Sequence, residues 1–454
     1  MQIAGSGRRG LLGACAATAA CAVIAACGAS SPLSGAQPGT AQASAARASS
    51  AGASSAGASS AGASPAGANA SASQPAARTA ATACVTQALA SLTPAQRVGQ
   101  LFLVGVDGDQ AGSALTAAEK TYHFGSLLLN KSAAGTTVLA AQTKAMQALA
   151  PSADHGVGLF IAANQEGGEI QQLAGPGFST MPSEVTQGTW TPRQLRTAAA
   201  GWGSDLRAAG VNLDLAPVMD VVPAGTAAGN APIGALLRDF GSDPAADGAH
   251  GAAFIQGMAR AGVATVAKHF PGLGRVTANT DYSAGVTDTV TTADDPYLDS
   301  FRAAVNAGVP MVMVASATYT RIDPARLAAF SPAVLALLRT QLGFTGVIVS
   351  DDLGDAIAVQ PVPVGTRAVD FLTAGGDLVT SQSLGPAEQM AAAVLARVAG
   401  SAAFGATVDA AAQRVLAAKQ AAGLLPCLRP AAALFTASGD RRRAGPHTAA
   451  WPGQ

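Results

Sequence analysis

The sequence predicts an α/β protein that folds as a single (β/α)8 TIM barrel, and three observations lead to this prediction. Short runs rich in Val, Ile, Leu and Phe alternate with longer Ala-rich segments that favour helices. Several runs are apolar at successive positions, as is typical of strands covered on both faces. The runs number eight: Leu101–Val106, Gly125–Leu129, Gly158–Ala163, Val211–Ala216, Gly262–Ala267, Val309–Ala315, Gly346–Ser350 and Asp377–Thr380.

Each predicted strand is followed by enough chain for a helix, as in Pro244–Ala261 and Pro332–Leu342. Alternating strands and helices indicate a parallel sheet, which either closes into a barrel or stays open as a doubly wound sheet. The count of eight units favours the barrel, and so does the position of polar motifs directly after the strands. We therefore assign residues 84–427 to one barrel domain.

Residues 1–27 are typical of a bacterial export signal. Arg8 and Arg9 precede an apolar stretch, Leu11–Ala26, that is short for a transmembrane helix. The stretch ends in Ile24-Ala25-Ala26-Cys27, which resembles a lipobox, so we expect Cys27 to be lipidated and to anchor an exported chain at the extracytoplasmic face of the membrane. An ordinary cleaved secretory signal is the alternative, and the paired arginines also allow a twin-arginine route.

The segments on either side of the predicted barrel have compositions that do not support folding. Residues 28–83 are rich in Ala, Ser and Gly and contain almost no large apolar side chains. Such a segment cannot offset the entropy cost of ordering, so we expect a disordered linker there. We expect residues 428–454, which include three successive arginines, to form a disordered tail.

Cysteine usage fits an oxidising compartment. The chain has five cysteines, of which two lie in the predicted signal and one is the predicted lipidation site. Cys84 and Cys427 remain, close to the two ends of the predicted barrel. We expect them to form a disulfide, with two buried free thiols as the alternative.

Composition and missing motifs exclude several classes of function. The formal net charge is zero and only 12% of the residues are charged, so we expect no nucleic acid partner. The chain has no GxSxG elbow, no HExxH motif and no P-loop. Four histidines lack ligand-like spacing, so we expect no metal and no organic cofactor; they are His123, His155, His250 and His447.

Polar motifs directly follow four of the predicted strands, where the active site of a barrel is built. They are Asn164–Gly168, Pro217–Asp220, Lys268–Gly272 and Ser350–Leu353. Each motif alone has a structural explanation, since Asp caps helices and Gly adopts turns. Together they place carboxylates beside hydrogen-bond donors on one rim, which is the set of groups that glycoside hydrolysis requires.

Several motifs resemble the N-terminal barrel domain of glycoside hydrolase family 3. They are Val98–Phe102, Gln165–Gly168, Pro176–Phe178, Ala216–Val218, Phe240–Pro244, Ala267–Gly272, and Ser331-Pro332 together with Gly346–Leu353. The resemblance covers about Leu92–Leu425 and is greatest to the single-domain bacterial β-N-acetylhexosaminidases. The blocks KHFPG and SDDL, in this order and spacing, are its most specific part.

This resemblance implies a retaining exo-glycosidase that releases terminal β-N-acetylglucosamine, with peptidoglycan-derived saccharides as expected substrates. Asp351, in SDDL, matches the family nucleophile, which forms a covalent glycosyl intermediate. Lys268 and His269 match the pair that binds sugar hydroxyls, and Arg238 matches an arginine that contacts the substrate. Asp352 is expected to be a structural neighbour of the nucleophile.

The sequence departs from the family pattern at the acid/base. The hexosaminidases continue KHFPGHG…DSH, where the Asp-His pair of DSH is the acid/base on a mobile loop. Here Leu273 replaces the first histidine, and Asn279-Thr280-Asp281 stands at the DSH position. We expect Asp281 to be the acid/base, which requires a raised pKa, and Asp288 to be the reserve candidate.

A second departure follows the third predicted strand. The family pattern DQEGGRVQR has charged residues where this chain has Asn164, Glu169 and Gln172. Asn164 can still donate and accept hydrogen bonds, so we expect it to bind the substrate. The change leaves the identity of the sugar open.

Other functions are compatible with the sequence. A β-glucosidase or a phosphorylase would use the same barrel, and a catalytically weak, glycan-binding surface lipoprotein would explain the missing histidine. In each case we expect a monomer whose partners are a saccharide and, through the N-terminal lipid, a membrane.

Overall fold

The computed structural model describes residues 73–106, 113–149 and 154–428. The predicted signal, Cys27, most of the predicted linker and the tail after Leu428 lie outside these residues. Within the described residues, no helix combines the length and the apolar character needed to cross a membrane.

Eight parallel strands close into a barrel in chain order, and the last strand pairs with the first. They are β1 (Phe102–Val106), β2 (Ser126–Leu129), β3 (Phe160–Ala163), β4 (Leu213–Asp214), β5 (Ala264–Phe270), β6 (Met311–Val314), β7 (Val347–Asp352) and β8 (Leu378–Ser381). At the closure, Phe102 pairs with Val379. The predicted barrel and all eight predicted strands are confirmed, with ends that differ by a few residues.

Helices cover the outside of the barrel and one of its ends. They are α1 (Ser73–Ser91), α2 (Pro94–Gly99), α3 (Ser113–Tyr122), α4 (Thr136–Gln147), α5 (Glu184–Gln187), α6 (Pro192–Ala208), α7 (Pro244–Arg260), α8 (Leu298–Asn306), α9 (Pro332–Ala336), α10 (Val364–Ala374), α11 (Leu384–Gly400) and α12 (Ala402–Ala421). Polar side chains fix several starts: Thr191 caps α6, and Asp243, from the motif Phe240–Pro244, caps α7. That aspartate therefore has a structural role.

Helix α1 begins inside the segment predicted to be a linker. Its sequence is rich in alanine, which has the highest helix propensity, and its second half packs through Val85 and Ala88 against Leu416 of α12. The helix thus includes the last residues of the predicted linker, 73–83, together with the first residues of the predicted barrel domain.

The amino ends of the strands are closed by α12. Arg414 Nη1 donates to Asp377 Oδ1, just before β8, at 2.6 Å, and Lys419 Nζ donates to the carbonyl of Gly125, just before β2, at 2.7 Å. A disulfide between Cys84 and Cys427 joins α1 to the chain that follows α12, with a Cα–Cα distance of 5.8 Å. The carboxyl ends of the strands are left for the pocket described below.

Ionisable side chains are buried together at this closed end. Lys419 is fully buried and also donates to Gln100 Oε1, while Gln100 Nε2 donates to Asp154 Oδ2 at 3.1 Å. Burial, with the nearby Asp154, raises the pKa of Glu119 to about 8. Burial likewise raises the pKa of Asp154 to about 7 and lowers that of Lys419 to about 8. His123 completes the cluster, with Nδ1 3.9 Å from Asp154 Oδ1.

These pKa values predict a protein that is more stable in mild acid than at neutral pH. Between about pH 5 and 7, folded Glu119 and Asp154 retain protons that the unfolded chain has released. The free energy of unfolding therefore falls as pH rises through this window, by up to about 1.4 kcal/mol per pH unit for one group. Lys419 has the opposite effect, but only above pH 8. We expect the melting temperature to fall between pH 5 and pH 7.5.

The variant Glu119→Gln tests the cause, because its neutral amide cannot titrate. Its melting temperature should depend less steeply on pH than that of the parent, while Glu388→Gln on α11, outside the cluster, should keep the parental slope. An unchanged slope in Glu119→Gln would contradict the assignment.

Candidate active site

A pocket of about 510 Å³ lies at the carboxyl ends of the barrel strands. It brings together side chains from the ends of β5 and β7 and from the segments that follow β3, β4 and β5. All six predicted substrate-binding and catalytic side chains line it: Asn164, Arg238, Lys268, His269, Asp281 and Asp351. The described residues contain no group of three or more His, Cys, Asp or Glu side chains arranged to hold a metal ion.

Glu166 holds the two cationic side chains of the pocket in place. Its Oε1 accepts from Lys268 Nζ at 2.6 Å and from Arg238 Nη2 at 2.8 Å, and its Oε2 accepts from Arg238 Nε at 2.7 Å. Burial opposes ionisation of Glu166, but the charges of Arg238 and Lys268 prevail and lower its pKa to about 2. Lys268 Nζ also donates to Asn164 Oδ1 at 2.9 Å. The cations are thus oriented by the protein alone.

His269 is oriented by a buried aspartate that follows β4. Asp220 Oδ2 accepts from His269 Nδ1 at 2.7 Å, and Asp220 Oδ1 accepts from the His269 backbone N–H at 3.1 Å. Because the carboxylate binds Nδ1, the Nε2 edge of the ring is the one left for the pocket. Asp220 Oδ1 also accepts from the N–H of Leu273 at 2.8 Å, so it fixes the start of the loop after β5.

Two adjacent aspartates at the end of β7 have different environments. Asp351 is half-buried and lines the pocket, and its Oδ1 accepts from the backbone N–H of Asp352 at 2.9 Å. Asp352 is buried and accepts four backbone N–H groups, those of Gly354, Asp355, Ala356 and Gln382. Asp352 therefore shapes the turn after β7, as the sequence analysis expects, and Asp351 is the carboxylate available to a ligand.

Asp281 lies at the mouth of the pocket, where its side chain is partly exposed. The surrounding protein and the negative charge of Asp351 raise the pKa of Asp281 to about 6, against the opposing effect of His269 and Arg238. The carboxyl groups of Asp281 and Asp351 thus influence each other electrostatically. A carboxyl group with this pKa can donate a proton near neutral pH.

The loop that carries Asp281 is bound to the protein on several sides. The carbonyl of Asp281 accepts from the N–H of Ile357 at 3.1 Å, and the carbonyl of Thr280 accepts from the N–H of Ala358 at 3.0 Å. The loop ends in the short strand Thr287–Asp288, which pairs with Thr318–Tyr319. Asp288 does not line the pocket, and its carboxylate binds Val290 N, Thr291 N and Thr291 Oγ1. The reserve candidate is therefore a structural residue of the loop end.

Two further carboxyl groups lie beneath Glu166. Asp214 and Glu184 are buried; Asp214 Oδ1 accepts from Gln165 N at 3.0 Å, and Glu184 Oε1 from Val218 N at 3.1 Å. Burial raises the pKa of both groups well above the usual range. Both groups therefore favour the protonated form more than ordinary carboxyl groups do, whereas Glu166 is held ionised by Arg238 and Lys268.

Three residues that shape the site could not be recognised from their sequence motifs. Glu166 and Asp220 were visible only as acids within polar motifs, because their partners lie on other strands. Tyr282 lines the mouth beside Asp281 and is 80% exposed. An aromatic side chain in a polar loop was the available signal, since exposed rings are common in saccharide sites.

Comparisons with known proteins show the family of the barrel domain. Residues 93–418 match the glycosyl hydrolase family 3 N terminal domain. The crystal structure of the β-N-acetylhexosaminidase from Beutenbergia cavernae is similar with a TM-score of 0.71 and 47% sequence identity, and the match covers 72% of this chain and 99% of that chain.

Two relatives are similar in sequence. The β-hexosaminidase of Stenotrophomonas maltophilia is 33% identical over 301 residues, which are 62% of this chain and 82% of that protein. The β-hexosaminidase LpqI of Mycobacterium tuberculosis is 32% identical over 303 residues, which are 64% of this chain and 73% of that protein. Because the family match spans nearly the whole barrel, the chain belongs to glycosyl hydrolase family 3.

Proposed function

We propose that the protein is a retaining β-N-acetylhexosaminidase that removes terminal β-N-acetylglucosamine from saccharides. The observation that carries the proposal is that Asp351 and Asp281 line one pocket together with Arg238, Lys268 and His269. Relatives named β-hexosaminidase support the choice of sugar. Peptidoglycan-derived saccharides are the proposed natural substrates.

The first chemical step uses the two aspartates in opposite protonation states. The Asp351 carboxylate attacks the anomeric carbon and forms a glycosyl ester, while the bond from that carbon to the leaving oxygen breaks. Asp281, which its raised pKa of about 6 keeps protonated in mild acid, donates its proton to that oxygen. The charge of Asp351 itself helps to keep Asp281 protonated before the step.

The second step reverses the role of Asp281. Once Asp351 is esterified its negative charge is gone, so the pKa of Asp281 falls and the carboxylate becomes a base. It takes a proton from water, the water oxygen attacks the anomeric carbon, and the ester bond to Asp351 breaks. Two displacements at one carbon retain its configuration.

Sugar binding is assigned to the groups held by buried acids. Lys268 and Arg238 donate to sugar hydroxyls from positions that Glu166 fixes, and His269 acts from the position that Asp220 fixes. Asn164 accepts from Lys268 and also lines the pocket, so we assign it to the binding of sugar hydroxyls as well. Preorganised donors of this kind lose little entropy when the substrate binds.

Two variants separate the roles of the aspartates. Asp351→Ala should lower kcat/KM at least about 1,000-fold both on 4-nitrophenyl β-N-acetylglucosaminide and on the unactivated disaccharide N,N′-diacetylchitobiose. Asp281→Ala should lower kcat/KM about 100-fold or more on the disaccharide, and much less on the nitrophenyl substrate, because nitrophenolate leaves without a proton. Steady-state kinetics of both variants measure this.

The control is Asp288→Asn, a variant at the other aspartate of the same loop. The asparagine keeps the oxygen that accepts from the N–H groups of Val290 and Thr291, so both rates should stay near those of the parent. If Asp288→Asn instead lost only the disaccharide activity, the acid would be Asp288. A parent that binds N-acetylglucosamine but turns over neither substrate would contradict the proposed function. Greater activity on nitrophenyl β-glucoside, or activity that requires phosphate, would reassign it to a glucosidase or a phosphorylase.

The pH dependence follows from the protonation state that each substrate needs. Asp281 must be protonated to act on the disaccharide, so kcat/KM for N,N′-diacetylchitobiose should fall about tenfold per pH unit above about pH 6. The nitrophenyl substrate needs no proton, so its kcat/KM should stay level across the same range. An identical alkaline limb for both substrates would show that another group causes it.

We also propose that the protein is exported and anchored through a lipid on Cys27. Support comes from the signal-like residues 1–27 and the lipobox-like Ile24–Cys27. In a bacterial host, metabolic labelling with a palmitate analogue should mark the full chain and leave Cys27→Ser unlabelled. Equal labelling of the two proteins, or no labelling of either, would contradict the anchor.

A further inference from the structure

A buried asparagine joins the two segments that carry Arg238 and Asp281. Asn230 lies behind the pocket wall and is 2% exposed. Its side-chain amide makes four hydrogen bonds to backbone groups: Nδ2 donates to the carbonyls of Leu273 and Val276, both at 2.7 Å, and Oδ1 accepts from the N–H groups of Gly234, at 2.7 Å, and Ile233, at 3.2 Å. Every hydrogen-bonding position of the amide nitrogen is therefore used.

On one side, Asn230 organises the turn that holds Arg238. The two N–H groups that it binds begin the short turn Gly234–Leu236. The backbone N–H of Arg238 donates to the carbonyl of Ile233 at 3.2 Å, and Arg238 Nη1 donates to the carbonyl of Pro232 at 2.8 Å. Both the backbone and the guanidinium of Arg238 thus depend on this turn.

On the other side, Asn230 holds the beginning of the loop that leads to Asp281. The two carbonyls that it binds enclose Gly274, which lies so close to the preceding wall that a Cβ atom there would be 1.9 Å from the carbonyl oxygen of Val221. This segment has no room to shift toward that wall. The amide of Asn230 sets its position, and the chain continues from there to Asp281.

We infer that Asn230 is a positioning residue for acid catalysis, since it fixes the place of the proton donor Asp281 relative to the sugar-binding Arg238. The inference rests on the proposed function, which gives Asp281 its role. Asn230 does not line the pocket, so it acts only through the two segments that it joins.

The substitution Asn230→Asp separates the effect of Asn230 on the Arg238 turn from its effect on the Asp281 loop. An aspartate keeps the oxygen that accepts from Ile233 and Gly234, so the turn that holds Arg238 is retained. It replaces the donor with an oxygen that faces the carbonyls of Leu273 and Val276, so the loop is released. If Asn230→Asp does not fold, Asn230→Ser, which removes both sets of bonds, should lower kcat/KM on both substrates through the Arg238 turn, with the larger loss on the disaccharide because the Asp281 loop is released as well.

Asn212 offers a matched control elsewhere in the barrel. It is 3% exposed, its Nδ2 donates to the carbonyl of Leu159 at 3.1 Å, and its Oδ1 accepts from the N–H of Ile161 at 2.8 Å. Asn212→Asp therefore makes the same chemical change to a buried backbone-bridging amide that contacts neither Arg238 nor the Asp281 loop.

The experiment measures kcat/KM for the full-length variants on N,N′-diacetylchitobiose and on 4-nitrophenyl β-N-acetylglucosaminide across pH, with melting temperatures alongside. In Asn230→Asp we expect the disaccharide value to fall by about tenfold or more and the nitrophenyl value by less than about threefold. The alkaline limb on the disaccharide should move to lower pH, because a displaced Asp281 is less influenced by Asp351. In Asn212→Asp both substrates should keep the parental ratio, even if the melting temperature falls.

Equal losses on both substrates, or no loss on either, in an Asn230 variant of an active parent would overturn this inference and leave the proposed function intact. A parent that is inactive on both substrates would overturn the proposed function and the inference together.

Discussion

The site depends on one buried carboxylate, that of Glu166, and on the two cations that surround it. Taking this carboxylate out of water is unfavourable, and only close contacts on both of its oxygens compensate. Lys268 comes from β5 and Arg238 from the segment before α7, so one side chain ties three stretches of chain together at the rim of the barrel. Either cation without Glu166 would be a buried charge lacking its partner, which is why the three side chains act as one structural unit.

The carboxyl groups around the pocket show how environment assigns chemistry to identical side chains. Asp352 has its oxygens occupied by four backbone N–H groups and shapes a turn. Asp220 is occupied by His269 and by the start of the loop. Asp351 faces the pocket, and its Oδ1 accepts from the backbone N–H of Asp352. Asp281, at the mouth, has a pKa that is raised to about 6. Four aspartates therefore have four functions without any difference in their covalent structure.

The sequence predicted the fold well because a barrel strand is recognisable from its own residues. Runs such as Val347–Val349 are apolar at successive positions, since both faces of the strand are covered. The meeting of residues from the ends of β3, β5 and β7 was also predictable, because parallel strands of a barrel end at one rim. The contact between Asp220 and His269 was not predictable, because it depends on how neighbouring strands are staggered. Asp281 and Asp288 looked similar in sequence, and only the path of the loop after β5 separates a residue at the pocket from one in a structural turn.

The disulfide and α12 have a consequence for the orientation of the molecule. The chain enters the barrel domain through α1 and leaves it just after Cys427, and both lie at the amino ends of the strands. The pocket opens at the carboxyl ends. Both ends of the described barrel domain, at Cys84 and Cys427, therefore lie on the side opposite to the substrate entrance. A fusion or a truncation made at either end of the domain is therefore remote from the groups that line the pocket.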